Sequence, residues 1–197
     1  MSTAVKQIPI HDFVAQLRKF RQSAFDQTEE IRRYLQETPV SSDSLAPYLT
    51  WDRQHYTRNL IDKTPLYELL AICWEVGQAS SVHNHRDQNC WMAVPMGKLR
   101  VQNFRVSDRD ALKGKCSIVA ADFYDMDPEH PAAVSPDAPV HQVLNLPAFG
   151  QRAVSIHIYS RPYDSCEVYV PERGTYRDVP LHYTSEYGKL SPDEKLV

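Results

Sequence analysis

The chain has 197 residues, 42% of them hydrophobic and 24% charged, and a net charge of −3. That length suits one well-buried domain, and so small a net charge gives no basic surface that would make nucleic acid the expected partner. No apolar run approaches the roughly 18–20 residues that cross a bilayer, and residues 1–10 lack the apolar core and small-residue cleavage site of a secretory signal.

The predicted elements begin with helix. Over residues 8–48, Phe13, Leu17 and Phe20 recur at helical spacing. Within 26–36, Ile31, Tyr34 and Leu35 share one face, and Glu29 and Glu30 stand in the first turn, where the helix dipole favours acids. Pro39 and the run Ser41, Ser42, Asp43, Ser44 end this region. After Trp51 the texture becomes that of short strands, at 67–76, 90–95, 98–106, 117–124, 141–146, 153–159 and 166–170. Gly77, Gly97, Gly114, a proline-rich stretch over 128–139, Gly150 and Pro162 separate them. Many short strands between turn residues imply a closed or double-sheet β architecture. The reading is one mainly β domain over 1–197, with a helical cap at 1–50 on a β-barrel at 51–190. Its expected location is the cytoplasm, where Cys73, Cys90, Cys116 and Cys166 stay reduced.

Three of the eight histidines are informatively placed. His83 and His85 form an H-x-H pair, and residues i and i+2 of an extended segment project to the same side, so both imidazoles can reach one metal. Exposed loop histidines are the plainer alternative. His141 offers a third imidazole at the start of another predicted strand. His11, His55, His130 and His182 fit no metal spacing and read as structural or exposed.

These residues resemble the two motifs of the cupin superfamily. The first, G-x5-H-x-H-x3-4-E-x6-G, is matched by Gly77, His83, His85 and Gly97. The second, P-x-G-x2-H-x3-N, is matched by Pro136, His141 and Asn145, with Ala138 in place of glycine. Where the first motif carries its glutamate ligand, this chain has Cys90. Three neutral imidazoles leave Fe(II) its full positive charge, which suits an anionic thiolate, although imidazole also suits zinc, copper and nickel.

With that replacement the chain resembles, more narrowly, the cysteine dioxygenase family. The likeness lies in Ser80-Ser81-Val82-His83-Asn84-His85-Arg86-Asp87-Gln88-Asn89-Cys90, in Tyr56-Thr57-Arg58-Asn59-Leu60, and in the stretches from Ala153 to Ser160 and from Pro162 to Cys166. The resemblance implies a cupin (jelly-roll) barrel, Fe(II) on His83, His85 and His141, and oxidation of cysteine by O2 to cysteine sulfinic acid. The substrate sulfur, its amine and O2 would take the remaining coordination positions. Arg58 would hold the substrate carboxylate, because its planar fork matches a carboxylate bidentately, and Tyr56 would line the same pocket. Ser155, His157 and Tyr159 alternate with Val154, Ile156 and Ile158 and would form a relay orienting the phenol. Cys90 and Tyr159 are the pair that some family members join by a thioether.

The expected partners are a small thiol and O2, with no nucleic acid or membrane, and the expected state is a monomer. The rival substrates are 3-mercaptopropionate and mercaptosuccinate; relatives acting on 3-mercaptopropionate typically carry glutamine in place of Arg58 and lack Cys90, and both features favour cysteine. The other readings are a metal-binding cupin without activity and a different cupin enzyme, such as an isomerase or an oxalate-degrading enzyme. One departure stands out: Arg161 replaces a proline that the family often places after a cis bond. A cis bond to arginine costs about 2.5–4 kcal/mol, so the expectation is a trans bond, or a cis bond that its surroundings support. Arg161 reads as solvent-facing; the sharper alternative is a cation that accepts a second substrate carboxylate.

Overall fold

The computed structural model describes residues 6–130, 132–133 and 139–192. Pro136, Asp137 and Ala138 of the second motif lie outside the described residues. The helical expectation resolves into α1 (Ile10–Leu17), α2 (Gln22–Asp26) and α3 (Glu29–Glu37), followed by a 3-10 segment over Ser42–Tyr48. The strands are β1 (Thr57–Lys63), β2 (Tyr67–Trp74), β3 (Val82–His83), β4 (Cys90–Met96), β5 (Leu99–Asp110), β6 (Lys115–Met126), β7 (Ala132–Ala133), β8 (Val140–Leu144), β9 (Ala153–Ser160), β10 (Ser165–Val170), β11 (Thr175–Pro180), β12 (Ser185–Glu186) and β13 (Lys189–Leu190).

One sheet runs β13-β12-β1-β2-β9-β4-β7, and a second closes on itself in the order β10-β11-β6-β5-β8-β3. Leu70, Ile72, Met92 and Val94 of the first sheet meet Leu99, Val101, Met126 and Val143 of the second in one buried interior. The fold is thus the mainly β, cupin-type barrel with an N-terminal helical cap that the sequence led us to expect. The first motif's glycines make its turns. Gly77 and Gly97 have φ of 89° and 81°, and a Cβ on Gly97 would sit 2.4 Å from the Arg152 carbonyl oxygen.

The outer face of the first sheet carries the cap. Phe13, Leu17, Phe25, Ile31 and Leu35 pack on Tyr67, Leu69, Ala71, Trp91, Ile156 and Ile158. Polar bonds fix the docking: the Trp91 indole donates to the Thr28 carbonyl at 2.7 Å, and the Asn89 amide donates to the Phe25 carbonyl at 3.0 Å. Arg18 also pairs with Asp62 of β1. Both faces of β2 and β9 are therefore buried, and every residue of the two strands is inaccessible.

Candidate metal centre and active site

His83 ends β3 and stands in register with His141 of β8, which brings the two imidazoles together across a strand pair. His85 follows in the loop. Arg86 and Asp87 then take left-handed φ of 52° and 61°, reversing the chain so that Cys90 enters β4 rather than joining the histidines. The three histidines offer ligand nitrogens all within 4.8 Å of one another, the one such group among the described residues.

The donor set suits a metal ion. His83 Nδ1 donates to the Ser81 carbonyl oxygen at 2.9 Å, which fixes its tautomer and leaves Nε2 as the lone-pair donor. Buried His85 Nε2 and His141 Nδ1 have no hydrogen-bond partner, a costly arrangement for a site with nothing to bind. Burial pushes His83 down to about 4 and holds His85 and His141 well below the usual histidine range, so all three are neutral lone-pair donors at neutral pH.

The remaining expected site residues gather on the inner face of the first sheet. The Ser155 hydroxyl lies 2.8 Å from His157 Nε2, and the Tyr159 hydroxyl lies 3.1 Å from His157 Nδ1. A further member, Trp74, donates its indole N–H to Ser155 Oγ at 2.9 Å. Indole only donates, so Ser155 accepts from Trp74, and its own hydrogen, buried with His157 Nε2 as the acceptor in reach, goes to that nitrogen. His157 then carries its hydrogen on Nδ1 and donates to Tyr159, whose hydroxyl hydrogen is left to point onward. Burial holds His157 down to about 3, so the relay stays neutral. The Tyr159 ring lies 5.3 Å from that of His85, between the relay and the histidine trio.

Cys90 of β4 is the direct cross-strand partner of Tyr159, a placement that sets Cβ atoms about 4.5–5.5 Å apart. Burial pushes the Cys90 thiol up, so it stays protonated. Arg58 of β1 points inward with buried Nε and Nη2 lacking any partner, and Tyr56 stacks on Trp74 with centroids 4.6 Å apart. Burial works against the Arg58 charge, but Tyr159, Tyr163, Tyr56 and Glu68 around it restore it. All nine residues singled out in the sequence thus converge on one interior, while His11, His55, His130 and His182 are exposed.

Arg161 is not part of this convergence. No peptide bond among the described residues is cis, and Arg161 takes a left-handed φ of 63°. Its exposed side chain reaches outward to Asp26 of the cap at 3.4 Å. Four residues of the interior and its mouth were missed in the sequence: Trp74, Tyr163, Glu68 and Tyr183. Tyr163 stacks edge-on to Tyr159 at 5.2 Å. Glu68, an acid inside the otherwise uncharged run of β2, is fully buried and accepts a hydrogen bond from Tyr183.

The sequence model described as cysteine dioxygenase type I matches residues 1–172. Among curated proteins, the chain is 26% identical over 194 residues to cysteine dioxygenase type 1 of Danio rerio, covering 98% of this chain and 94% of the relative. It is 27% identical over 165 residues to the Rattus norvegicus protein of the same name, covering 83% and 80% of the two. Among solved structures, an uncharacterized conserved protein with a double-stranded β-helix domain from Klebsiella pneumoniae superposes with a TM-score of 0.40 at 13% identity, covering 70% of this chain and 96% of that one.

Proposed function

The chain belongs to the cysteine dioxygenase type I family, and from that premise we propose that it oxidises L-cysteine with O2 to cysteine sulfinic acid at an Fe(II) held by His83, His85 and His141. Both oxygen atoms end on sulfur, and the thiol hydrogen leaves as a proton. The observation that carries this reading is that unpartnered imidazole nitrogens and an unpartnered guanidinium are buried in one interior. An iron ion there would supply thiolate binding and O2 activation; zinc would bind the thiolate but, having no redox chemistry, would not activate O2.

The chain's own residues supply the rest. Arg58 places its planar fork on the substrate carboxylate, and the stacked Tyr56 closes that side of the pocket. The Trp74-Ser155-His157 series fixes which way Tyr159 donates, so the phenol presents a hydrogen to the reacting centre. The Cys90–Tyr159 register supports a thioether: sulfur bonds a ring carbon, the thiol and ring hydrogens leave, and O2 takes the electron pair.

The test is O2 uptake by protein loaded anaerobically with iron, given cysteine, cysteamine, 3-mercaptopropionate and mercaptosuccinate in turn. Cysteine should be the preferred thiol, with about one iron per chain. Arg58→Ala should cost cysteine on the order of a hundredfold in kcat/KM, because a desolvated carboxylate loses its charged partner, and cysteamine far less. Equal losses on both thiols, or full activity with zinc, would sink the assignment.

A further inference from the structure

At the mouth of the barrel, Lys63, Arg86, Tyr163 and Tyr183 line a recess of about 560 Å³ outside the metal centre. Beneath it lies Glu68. It stands beside Tyr159 on the next strand and opposite Lys63 on the other side, so its side chain shares the inner face with the relay. It is completely buried. One of its oxygens, Oε2, accepts from Tyr183, while the other, Oε1, is buried with no partner. A buried lone carboxylate oxygen is as costly as a buried lone guanidinium nitrogen, and both side chains stand on the inner face of the same sheet. Arg58 and Glu68 are near enough to feel each other's charge, yet no ion pair joins them.

Two unsatisfied groups of opposite sign, held apart on one inner face, match a ligand that carries both complementary charges. We propose that Glu68 is a specificity-determining residue, its Oε1 accepting a hydrogen bond from the substrate's α-amino group while Arg58 takes the carboxylate, so that the pocket selects α-amino-acid thiols over thiol acids lacking an amine. The proposal rests on the thiol dioxygenase reading and deepens it. An amine bound to a metal keeps N–H donors, so this bond and metal ligation are compatible. Burial raises Glu68 above its usual carboxylate range, and Tyr183, Arg58 and Lys63 act against that rise without cancelling it. Lys63 donates to the Tyr183 hydroxyl at 3.1 Å, so the acid is held from the mouth side by a fixed series of donors. The backbone supports the same arrangement: Thr184 N–H donates to the Arg58 carbonyl at 2.7 Å, which seats the segment bearing Tyr183 on the strand bearing Arg58.

The experiment compares cysteine with 3-mercaptopropionate, which differ by the amine, in wild type, Glu68→Gln and Tyr183→Phe. One arm measures binding calorimetrically to iron-loaded protein under argon, and the other measures O2 uptake. Glu68→Gln keeps the size and an acceptor for Tyr183 but removes the charge. It should lower the cysteine preference roughly tenfold or more in both arms, the size of a charge-assisted hydrogen bond, with 3-mercaptopropionate unchanged or improved. Tyr183→Phe leaves the Glu68 side chain in place and should lower the preference by much less than Glu68→Gln does. If Glu68→Gln weakens both thiols alike, or if Tyr183→Phe erases the preference equally, Glu68 only holds the mouth together and the proposal is overturned. Selective cysteine binding that depends on Glu68, without O2 uptake on any thiol, would uphold the anchor and remove the dioxygenase instead.

Discussion

Strand β9 is shared by two cores that meet their packing demands in different ways. Val154, Ile156 and Ile158 face the helical cap and contact Phe13, Ile31 and Leu35 without a polar atom among them. Ser155, His157 and Tyr159 face the barrel and are just as buried, yet each has a hydrogen-bond partner. Burial alone therefore does not separate structure from function in this strand; what separates them is whether the buried atoms need partners. On the cap side any well-fitting apolar volume serves. On the barrel side polar groups specify their neighbours, and the lone buried atoms include imidazole nitrogens of His85 and His141, Arg58 and Glu68.

The contrast can be broken most severely from the barrel side. His141→Ala removes a proposed ligand but leaves the cap core untouched. Metal analysis should fall from about one iron per chain towards none, and thiol-dependent O2 uptake should fall to background, while the protein stays folded. Retention of iron at the wild-type level would remove His141 from the ligand set.

From the cap side the expected effect is on stability. Ile156→Ala empties a fully buried site between the sheet and the cap and should cost about 2–5 kcal/mol. Denaturant unfolding should report that loss. Activity per bound iron should stay near wild type at temperatures well below the melting transition, since Ile156 points away from the relay. A large fall in kcat without a stability change would mean that the two faces are coupled.

Trp74→Phe sharpens the comparison, because it acts on the barrel face without touching a metal ligand. It removes the group that fixes the direction of the relay and should lower kcat about tenfold, the size typical of losing an outer hydrogen-bond partner. Iron content should be unchanged. A variant with full kcat would show that Tyr159 is oriented without the relay.

The histidine trio was legible in the sequence because its geometry is mostly local: H-x-H on an extended segment, and a third histidine in a second recognisable motif. The alternation in β9 was legible too, but from sequence a strand facing solvent reads the same, and only the cap shows that the apolar face is the outer core. Trp74 and Glu68 were not legible. In Tyr67–Trp74 every residue is buried, so the period-2 signal that would assign a face is lost. The lone acid in that run was the available hint, since a charge inside a doubly buried strand requires a partner. The strands after Val170 were missed for the opposite reason. Thr175–Pro180 has no buried residue and is held by backbone pairing to β10, which leaves no hydrophobic pattern to read. The helical region reads as two stretches, but its amphipathic pattern spans three short helices whose breaks at Arg18–Arg21 and Gln27 carry no glycine or proline.

Arg161 gives the smallest expected effect and probes the boundary between the two cores. It follows β9 directly, and a cation there could face either the mouth or the cap. Its left-handed backbone, with φ of 63°, turns it outward to Asp26. The same φ makes proline, fixed near −65°, a poor probe, because proline would force the backbone to rearrange. Glycine adopts this conformation without steric cost, so Arg161→Gly removes the cation and leaves the chain path intact. The ion pair it breaks is exposed on both sides, and such pairs contribute little. The ratio of kcat/KM for cysteine over mercaptosuccinate should therefore be the same in Arg161→Gly as in wild type, with a melting temperature close to it. A clear fall in mercaptosuccinate use alone would instead place Arg161 at the mouth as a second carboxylate partner.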